Sequence, residues 1–260
     1  MYREVRCIKV DEGSFTATDH AVVEEVAITL TVNGRTMMTA MASPDMVEEF
    51  IVGFLYTEQI IKSIDEIESI KREKNTVGVL TKNPFKVIGT KKIILSGCGG
   101  SSSFLDTRKL PHIASELAVT PDMIVQGLKQ VMNSSLHRLT GGVHVIGLMT
   151  RNNPVRIAED IGRHNALDKV IGFALKKGVD LSETFVVSSG RISSEMVRKC
   201  LVANIPIIVS RGATTTLAVD IAETTGLCIV GFARGGKMNI YTHPERIEGA
   251  SATSAKTPNE

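Results

Sequence analysis

Between Gly142 and Ala233, short apolar runs alternate with amphipathic ones of helical spacing. VHVIGLM, TFVVSS, PIIVS and LCIVGFA are compact and mostly rich in β-branched side chains, the mark of buried strands. Between them RHNALDKVIGFALKK, SSEMVRKCLVAN and TTLAVDIAETT repeat apolar residues every three or four positions and predict helices. Such alternation predicts an α/β fold, with a mixed, mostly parallel sheet and helices on both faces. Just upstream, Thr120-Pro121-Asp122 supplies a cap and a first-turn proline for one more helix, DMIVQGLKQVMN.

The first third reads differently. AVVEEVAITLTV and RTMMTAM flank Asn33-Gly34, a two-residue hairpin signal. Ser43-Pro44 then predicts the cap and first turn of a helix, PDMVEEFIVGFLYTEQI. Its apolar stripe, Met46, Val47, Phe50, Ile51, Phe54 and Leu55, belongs to a core or an interface. DEIESIKRE and TVGVLTK predict a second hairpin, after which Asn83-Pro84 breaks the pattern. These signals divide the chain into an N-terminal α+β lobe over 1–90, a connection over 91–111 and an α/β domain over 112–248. A disordered tail is expected over 249–260, where SATSAKTPNE is small, polar and non-periodic.

Composition narrows the function. A chain of 260 residues, 43% of them hydrophobic, buries a large core without disulfide or metal staples. Lys and Arg number 30 against 28 Asp and Glu, and aromatic residues make up 4% with no Trp, so nucleic acid finds neither a basic footprint nor stacking platforms. Four cysteines, at 7, 98, 200 and 228, show no CxxC spacing, which argues against a zinc ribbon and for a reducing, cytoplasmic compartment. The N-terminal MYREVRCIKVDEG lacks a signal-peptide core, and no run approaches the ~20 apolar residues of a membrane span.

Three of the cysteines sit in periodic segments and read as small core hydrophobes: Cys7 in RCIKV, Cys200 in EMVRKCLVA and Cys228 in LCIVGF. Cys98 does not. It lies in SGCGGSSS after the apolar KKIIL, where glycines let backbone N–H groups approach a thiolate. It is either a reactive thiol or an inert residue of a tight turn.

Three strand ends, FVVSSGR at Arg191, IIVSRG at Arg211 and VGFARGG at Arg234, each carry an arginine and a glycine to the carboxyl edge of a sheet, where anions bind. With the hydroxyls of Ser193, Ser194, Thr214, Thr215 and Thr216 they predict a phosphate-containing ligand, in the absence of a Walker A or GxGxxG pattern. In RIAEDIGRHNALDKVIG, Asp160 is placed to cap a helix, and the four-residue spacing lets Asp168 orient His164. A general base, a ligand contact and a structural network all fit that cluster. His144, opening a strand after two glycines, is a weaker candidate base. A zinc deaminase is excluded, because no HxE precedes a PCxxC. A Cys–His hydrolase pairing Cys98 with His144 or His164 stays open.

The GCGG cysteine loop, TGGVHVIGL, EDIGRHNALDKVIG, SSGRISSEMV and GFARGGKMNIYTHPERI together resemble the formate dehydrogenase accessory sulfurtransferase family (FdhD), over nearly the whole chain. The resemblance implies a cytidine-deaminase-like α/β domain without the deaminase zinc, and no structural metal. It implies a homodimer. It also implies that Cys98 takes sulfur from a cysteine desulfurase as a persulfide and passes it to the molybdenum of bis(molybdopterin guanine dinucleotide), before that cofactor enters formate dehydrogenase. Phe232, Ala233, Arg234, Gly235, Gly236 and Lys237 match the family's cofactor-binding segment, and Arg163, His164, Arg191 and Arg211 would complete the crevice. The alternative is a chaperone that holds the cofactor without transferring sulfur. Many members carry CGxC, whereas Ser101 stands here in place of the second cysteine, which removes a dithiol relay within the loop. Lys237 stands where some relatives have arginine, so bidentate phosphate binding is lost there.

Overall fold

A computed structural model describes residues 1–83, the backbone of 94–96, and residues 110–250. The chain opens with β1 (Tyr2–Asp11) and β2 (Ser14–Val23), antiparallel in unbroken register about a Glu12-Gly13 turn. Both turn residues have positive φ, 45° and 85°, as a tight primed turn requires. Ala21–Val23 therefore end this ribbon, and the Asn33-Gly34 hairpin starts only beyond Glu24-Glu25, as β3 (Val26–Val32) and β4 (Arg35–Ala42). Cys7, expected in a core, is exposed on β1, because a two-stranded ribbon has little to cover it.

The helix α1 (Val47–Thr57) begins later than its proline signal. Met46, left-handed at φ 51°, immediately precedes it, and Ser43 is withdrawn into the interior, where its N–H donates to Asp160 Oδ2 at 3.1 Å. A tertiary carboxylate thus takes the residue that local sequence assigned to a cap. β5 (Ile67–Glu73) and β6 (Thr76–Thr81) form the expected second hairpin, and β7 (Ile94–Ser96) joins β4 in parallel. The five strands run β5-β6-β3-β4-β7. Ile28, Leu30, Val77 and Val79 of this sheet pack with Phe50, Ile51, Phe54 and Leu55 of α1, so the helix stripe is core.

Next come α2 (Pro121–Met132), capped by the Thr120 hydroxyl, and the short α3 (Ser135–Thr140). The remaining elements are β8 (His144–Met149), β9 (Pro154–Asp160), α4 (Arg163–Lys177), β10 (Phe185–Ser188), α5 (Ser194–Val202), β11 (Ile207–Ser210), α6 (Thr216–Thr225), β12 (Cys228–Arg234) and β13 (Lys237–Ile240). Their sheet runs β13-β12-β11-β10-β8-β9. It is mixed rather than mostly parallel: only β10–β11 and β11–β12 are parallel pairs. Those two are joined through helices, whereas β9 and β13 return to their neighbours through short turns, which forces antiparallel pairing. Helices cover both faces as expected, α4, α5 and α6 on one and α2 on the other.

The helices α1 and α4 cross with backbone touching backbone. A Cβ built on Gly53 would lie 1.9 Å from the Asp168 carbonyl oxygen, and one on Gly172 would lie 1.9 Å from that of Glu49. Only glycine at both positions permits the approach. Among the described residues no helix is long and apolar enough to cross a membrane.

Candidate functional site

Strand direction brings the chemistry to one edge of the six-stranded sheet. Because β10, β11 and β12 run in parallel and β9 runs the same way, their carboxyl ends lie together with the amino ends of β8 and β13. The amino ends of α4, α5 and α6 follow directly from those strands, so their unpaired N–H groups and partial positive charge face the same edge.

A buried clamp fixes the start of α4. Asp160 and Lys169 are fully buried and paired at 2.7 Å. Asp160 Oδ1 accepts from the Gly162 N–H and from Asn165 Nδ2, both at 2.9 Å. Lys169 Nζ donates further to the carbonyls of Ser43 and Glu159, at 3.3 and 3.0 Å. Asn165 also donates to the Met41 carbonyl. A buried pair of this kind holds its geometry because every lone pair and proton is used. Asp160 is therefore the last residue of β9 rather than the helix cap, and Gly162 takes the capping place. Met41 and Ser43 follow Ala40 of β4, which is in register with Ser96 of β7.

Around the clamp lie His144, Arg163 and His164. Gly190, just past β10, is so close that a Cβ there would meet the His144 ring at 2.9 Å and Arg163 Cδ at 3.5 Å. His164 Nε2 stands 3.1 Å from Glu195 Oε2 and 3.3 Å from Ser193 Oγ. Burial, then the charges of Arg163 and Lys199, push the His164 imidazole down to about 3. It is neutral at physiological pH, so its contact with Glu195 is a hydrogen bond donated by Nε2–H, not an ion pair. Burial, followed by Arg163, also lowers His144.

Asp168 does not orient His164. It lies 2.8–2.9 Å from Lys199 Nζ through both oxygens and accepts from the Thr57 hydroxyl at 2.8 Å, binding α1, α4 and α5 together. Burial raises its carboxyl, opposed by Lys199. Ser193 and Glu195 both address Nε2 of His164, and the Cys98 that a hydrolase would pair with His144 or His164 lies outside the described residues.

On the other face, a pocket of about 350 Å³ opens between α2 and the ends of β11 and β12. Leu128 and Met132 give it an apolar wall, and Lys129, Arg211 and Arg234 ring it with cations. Arg234 Nε donates to the Arg211 carbonyl at 3.1 Å, so two of the three strand-end arginines meet. Ala233 is buried behind them, and Gly235-Gly236, with φ of 53° and 83°, turn β12 into β13. This glycine pair makes a hairpin rather than feeding a helix. Phe232 is 44% exposed in a left-handed bulge at φ 50°, its N–H bonded to the Gly212 carbonyl. Arg191 and Lys237 are exposed and line no part of the pocket.

The residues expected in one crevice thus fall into two groups, Arg211, Ala233, Arg234 and Gly235 on the α2 side and Arg163 and His164 at the head of α4. Lys129 and Glu195 escaped the sequence reading, because a lysine in a last helical turn and a glutamate in a first one are ordinary dipole partners. Cys98, Ser101 and the tail from Ser251 lie outside the described residues. Cys200 and Cys228 are buried, and burial pushes both thiols up to about 12, which makes them inert.

Comparison with known proteins fits this arrangement. The FdhD/NarQ family profile matches residues 23–248. A protein named sulfur carrier protein FdhD from Methanothermobacter thermautotrophicus is 36% identical over 249 residues, covering 95% of this chain and 99% of that one. Its namesake from Bacillus subtilis is 33% identical over 248 residues, covering 92% and 95%. Among solved structures, a formate dehydrogenase accessory protein from Desulfotalea psychrophila superposes with a TM-score of 0.79 at 27% identity, over 95% of this chain and 99% of its own. With the family's match running through both sheets and the edge where the clamp and the pocket lie, the chain belongs to the FdhD/NarQ family.

Proposed function

We propose that this chain is a cytoplasmic sulfur carrier for the maturation of formate dehydrogenase, with Cys98 as the carrier. The thiolate of Cys98 attacks the outer sulfur of a persulfide on a cysteine desulfurase. One S–S bond forms as another breaks, the desulfurase thiol leaves, and no external oxidant is needed. In the second step the Cys98 S–S bond would break as that sulfur bonds to the molybdenum of bis(molybdopterin guanine dinucleotide), the substrate, with the Cys98 thiolate leaving and the two electrons that take the sulfur to the sulfide level supplied by the metal or by an external thiol. With Ser101 in the loop, the bound sulfur has no neighbouring thiol there to discharge it as a disulfide.

The observation that carries this reading is the register of Ser96 with Ala40 beside the clamped Met41 and Ser43. Only Gly97 separates Ser96 from Cys98 in sequence, so the two are at most about 7 Å apart along the chain. That reach supports a carrier site near the head of α4, where Arg163 and the helix N-terminus would favour an anionic sulfur. The α2-side pocket suits a guanine dinucleotide tail, with Lys129, Arg211 and Arg234 for phosphate and Leu128 and Met132 for the flat base.

Incubation with a cysteine desulfurase and cysteine, followed by peptide mass mapping, tests the first step. One reductant-labile sulfur on the Cys98 peptide, absent from Cys98→Ala, is expected. If no sulfur is gained while the desulfurase is active, the carrier reading fails and the protein is a cofactor-holding chaperone. Guanosine diphosphate, titrated separately, should bind about tenfold or more weakly to Arg234→Gln.

A further inference from the structure

Two thioether sulfurs face guanidinium groups. Arg156 Nη2 points at Met46 Sδ from 3.6 Å, and Arg211 Nη1 points at Met132 Sδ from 3.9 Å. A thioether is a weak acceptor, so each contact leaves a strong donor poorly satisfied. The two arginines differ in what surrounds them. Arg156 lies over the Phe173 ring, 5.2 Å from its centre, away from the α2-side pocket. Arg211 is one of the three cations around that pocket, and Met132 is part of its apolar wall. Met37, Met38, Met149 and Met196 are buried, whereas Met132 is half-buried and opens on the pocket.

We infer that Met132 is a reversible oxidation site, and that its sulfoxide oxygen takes the Arg211 guanidinium out of anion binding. The oxidant is a hydroperoxide. The Met132 sulfur attacks one peroxide oxygen, an S–O bond forms as the O–O bond breaks, and sulfur gives up two electrons. The other oxygen leaves as hydroxide or alkoxide and takes a proton from water. At 3.9 Å the gap is too long for a strong contact, yet it accommodates an oxygen one bond from Sδ within hydrogen-bond reach of Nη1. A charge-assisted bond to that oxygen then replaces a weak one to sulfur.

Two consequences run in the same direction. Arg211 is engaged by its own chain, and the wall beside Leu128 turns from apolar to polar. Both weaken the hold on a ligand that combines phosphate with a flat base. Peroxide, which also attacks sulfur bound as a persulfide, thereby closes the pocket that presents the acceptor. This regulation rests on the reading of the pocket as an anion site. Met46 is the internal control, because the same oxidation beside Arg156 leaves the pocket unchanged.

Hydrogen peroxide treatment of the full-length protein in a Cys98→Ala background, followed by peptide mass mapping, tests the inference with two readouts. Guanosine diphosphate should bind about tenfold more weakly after oxidation than before, and methionine sulfoxide reductases A and B together should restore it. The before-to-after ratio, taken within each protein, should fall to one in Met132→Leu and stay near ten in Met46→Leu. Independently of any ligand, Arg211 should react with phenylglyoxal severalfold more slowly once Met132 carries oxygen, with Arg156 labelling unaffected in Met46→Leu. A Met132 that resists peroxide while Met46 is oxidised, unchanged Arg211 labelling, or an equal loss of affinity in Met132→Leu would overturn the inference. Guanosine diphosphate that fails to bind even the reduced protein would instead sink the reading of the pocket, and Arg211 labelling would still decide whether the sulfoxide captures the guanidinium.

Discussion

Substituting alanine for Gly172 should destabilise the protein although alanine is the better helix former. In the interior of a helix, Gly→Ala ordinarily gains up to ~1 kcal/mol. Here the new Cβ would stand 1.9 Å from the Glu49 carbonyl oxygen and 2.7 Å from the Gly53 backbone nitrogen, and neither can rotate away. Ordinary contact begins at 3.4 Å, so α1 and α4 must part by about 1.5 Å. That opens the layer between the core under the five-stranded sheet and the core on the six-stranded one. Overpacking against yielding side chains costs about 1–3 kcal/mol, and against backbone the upper end applies, so a net loss of about 3 kcal/mol is expected. For a chain of this size that lowers Tm by roughly 6–12 °C. Gly53→Ala should cost a similar amount, and the double variant clearly less than the sum, because helices already separated meet the second methyl with less strain. Urea unfolding followed by circular dichroism measures all three. A Gly172→Ala protein as stable as the wild type, or strictly additive losses, would refute the backbone contact.

Two further outcomes follow from the site. Lys169→Met leaves the buried Asp160 without its cation and should cost about 3–5 kcal/mol in urea unfolding, with Asp160→Asn/Lys169→Met losing less than the two single changes combined. His164 makes stability depend on pH in a defined window. Its unfolded imidazole takes up a proton near 6.5 while the folded one resists to about 3, so stability is full above 6.5 and falls as pH drops towards 3, by up to about 1.4 kcal/mol per unit. His164→Gln, which can keep a donor towards Glu195, should flatten that slope when unfolding is compared at pH 7, 6 and 5.

What was legible in the sequence was local. The units from β10 to β12 and their helices were readable because each strand is short, β-branched and buried on both faces, and each helix carries its own stripe. The sheet's direction was not, since β9 is a half-exposed strand whose pairing depends on a tight return. The β1–β2 ribbon escaped because nearly all of its residues are exposed, which leaves no alternation of burial to leave a pattern. Spacing placed Asp168 one turn from His164, but its partners, Lys199 and Thr57, lie 31 and 111 residues away and are a matter of tertiary packing. The arginine-bearing strand ends were correctly sent to one edge. That Arg211 and Arg234 meet at the α2-side pocket while Arg191 stays outside it depends on tertiary placement that strand-end spacing does not encode, and the bulge at Phe232 alters the path of β12 locally.

The glycine crossing also bears on how the protein is made. Thr57 at the end of α1 and Lys177 at the end of α4 are 120 residues apart in the chain. At ribosomal speeds of about 5–20 residues per second, α1 waits roughly 6–24 s for the helix that covers it. Throughout that interval the nascent chain carries a helix whose small-residue face is bare. Demand for chaperones should therefore peak before α4 emerges, and nascent chains arrested short of it should be the ones held by the ribosome-associated machinery.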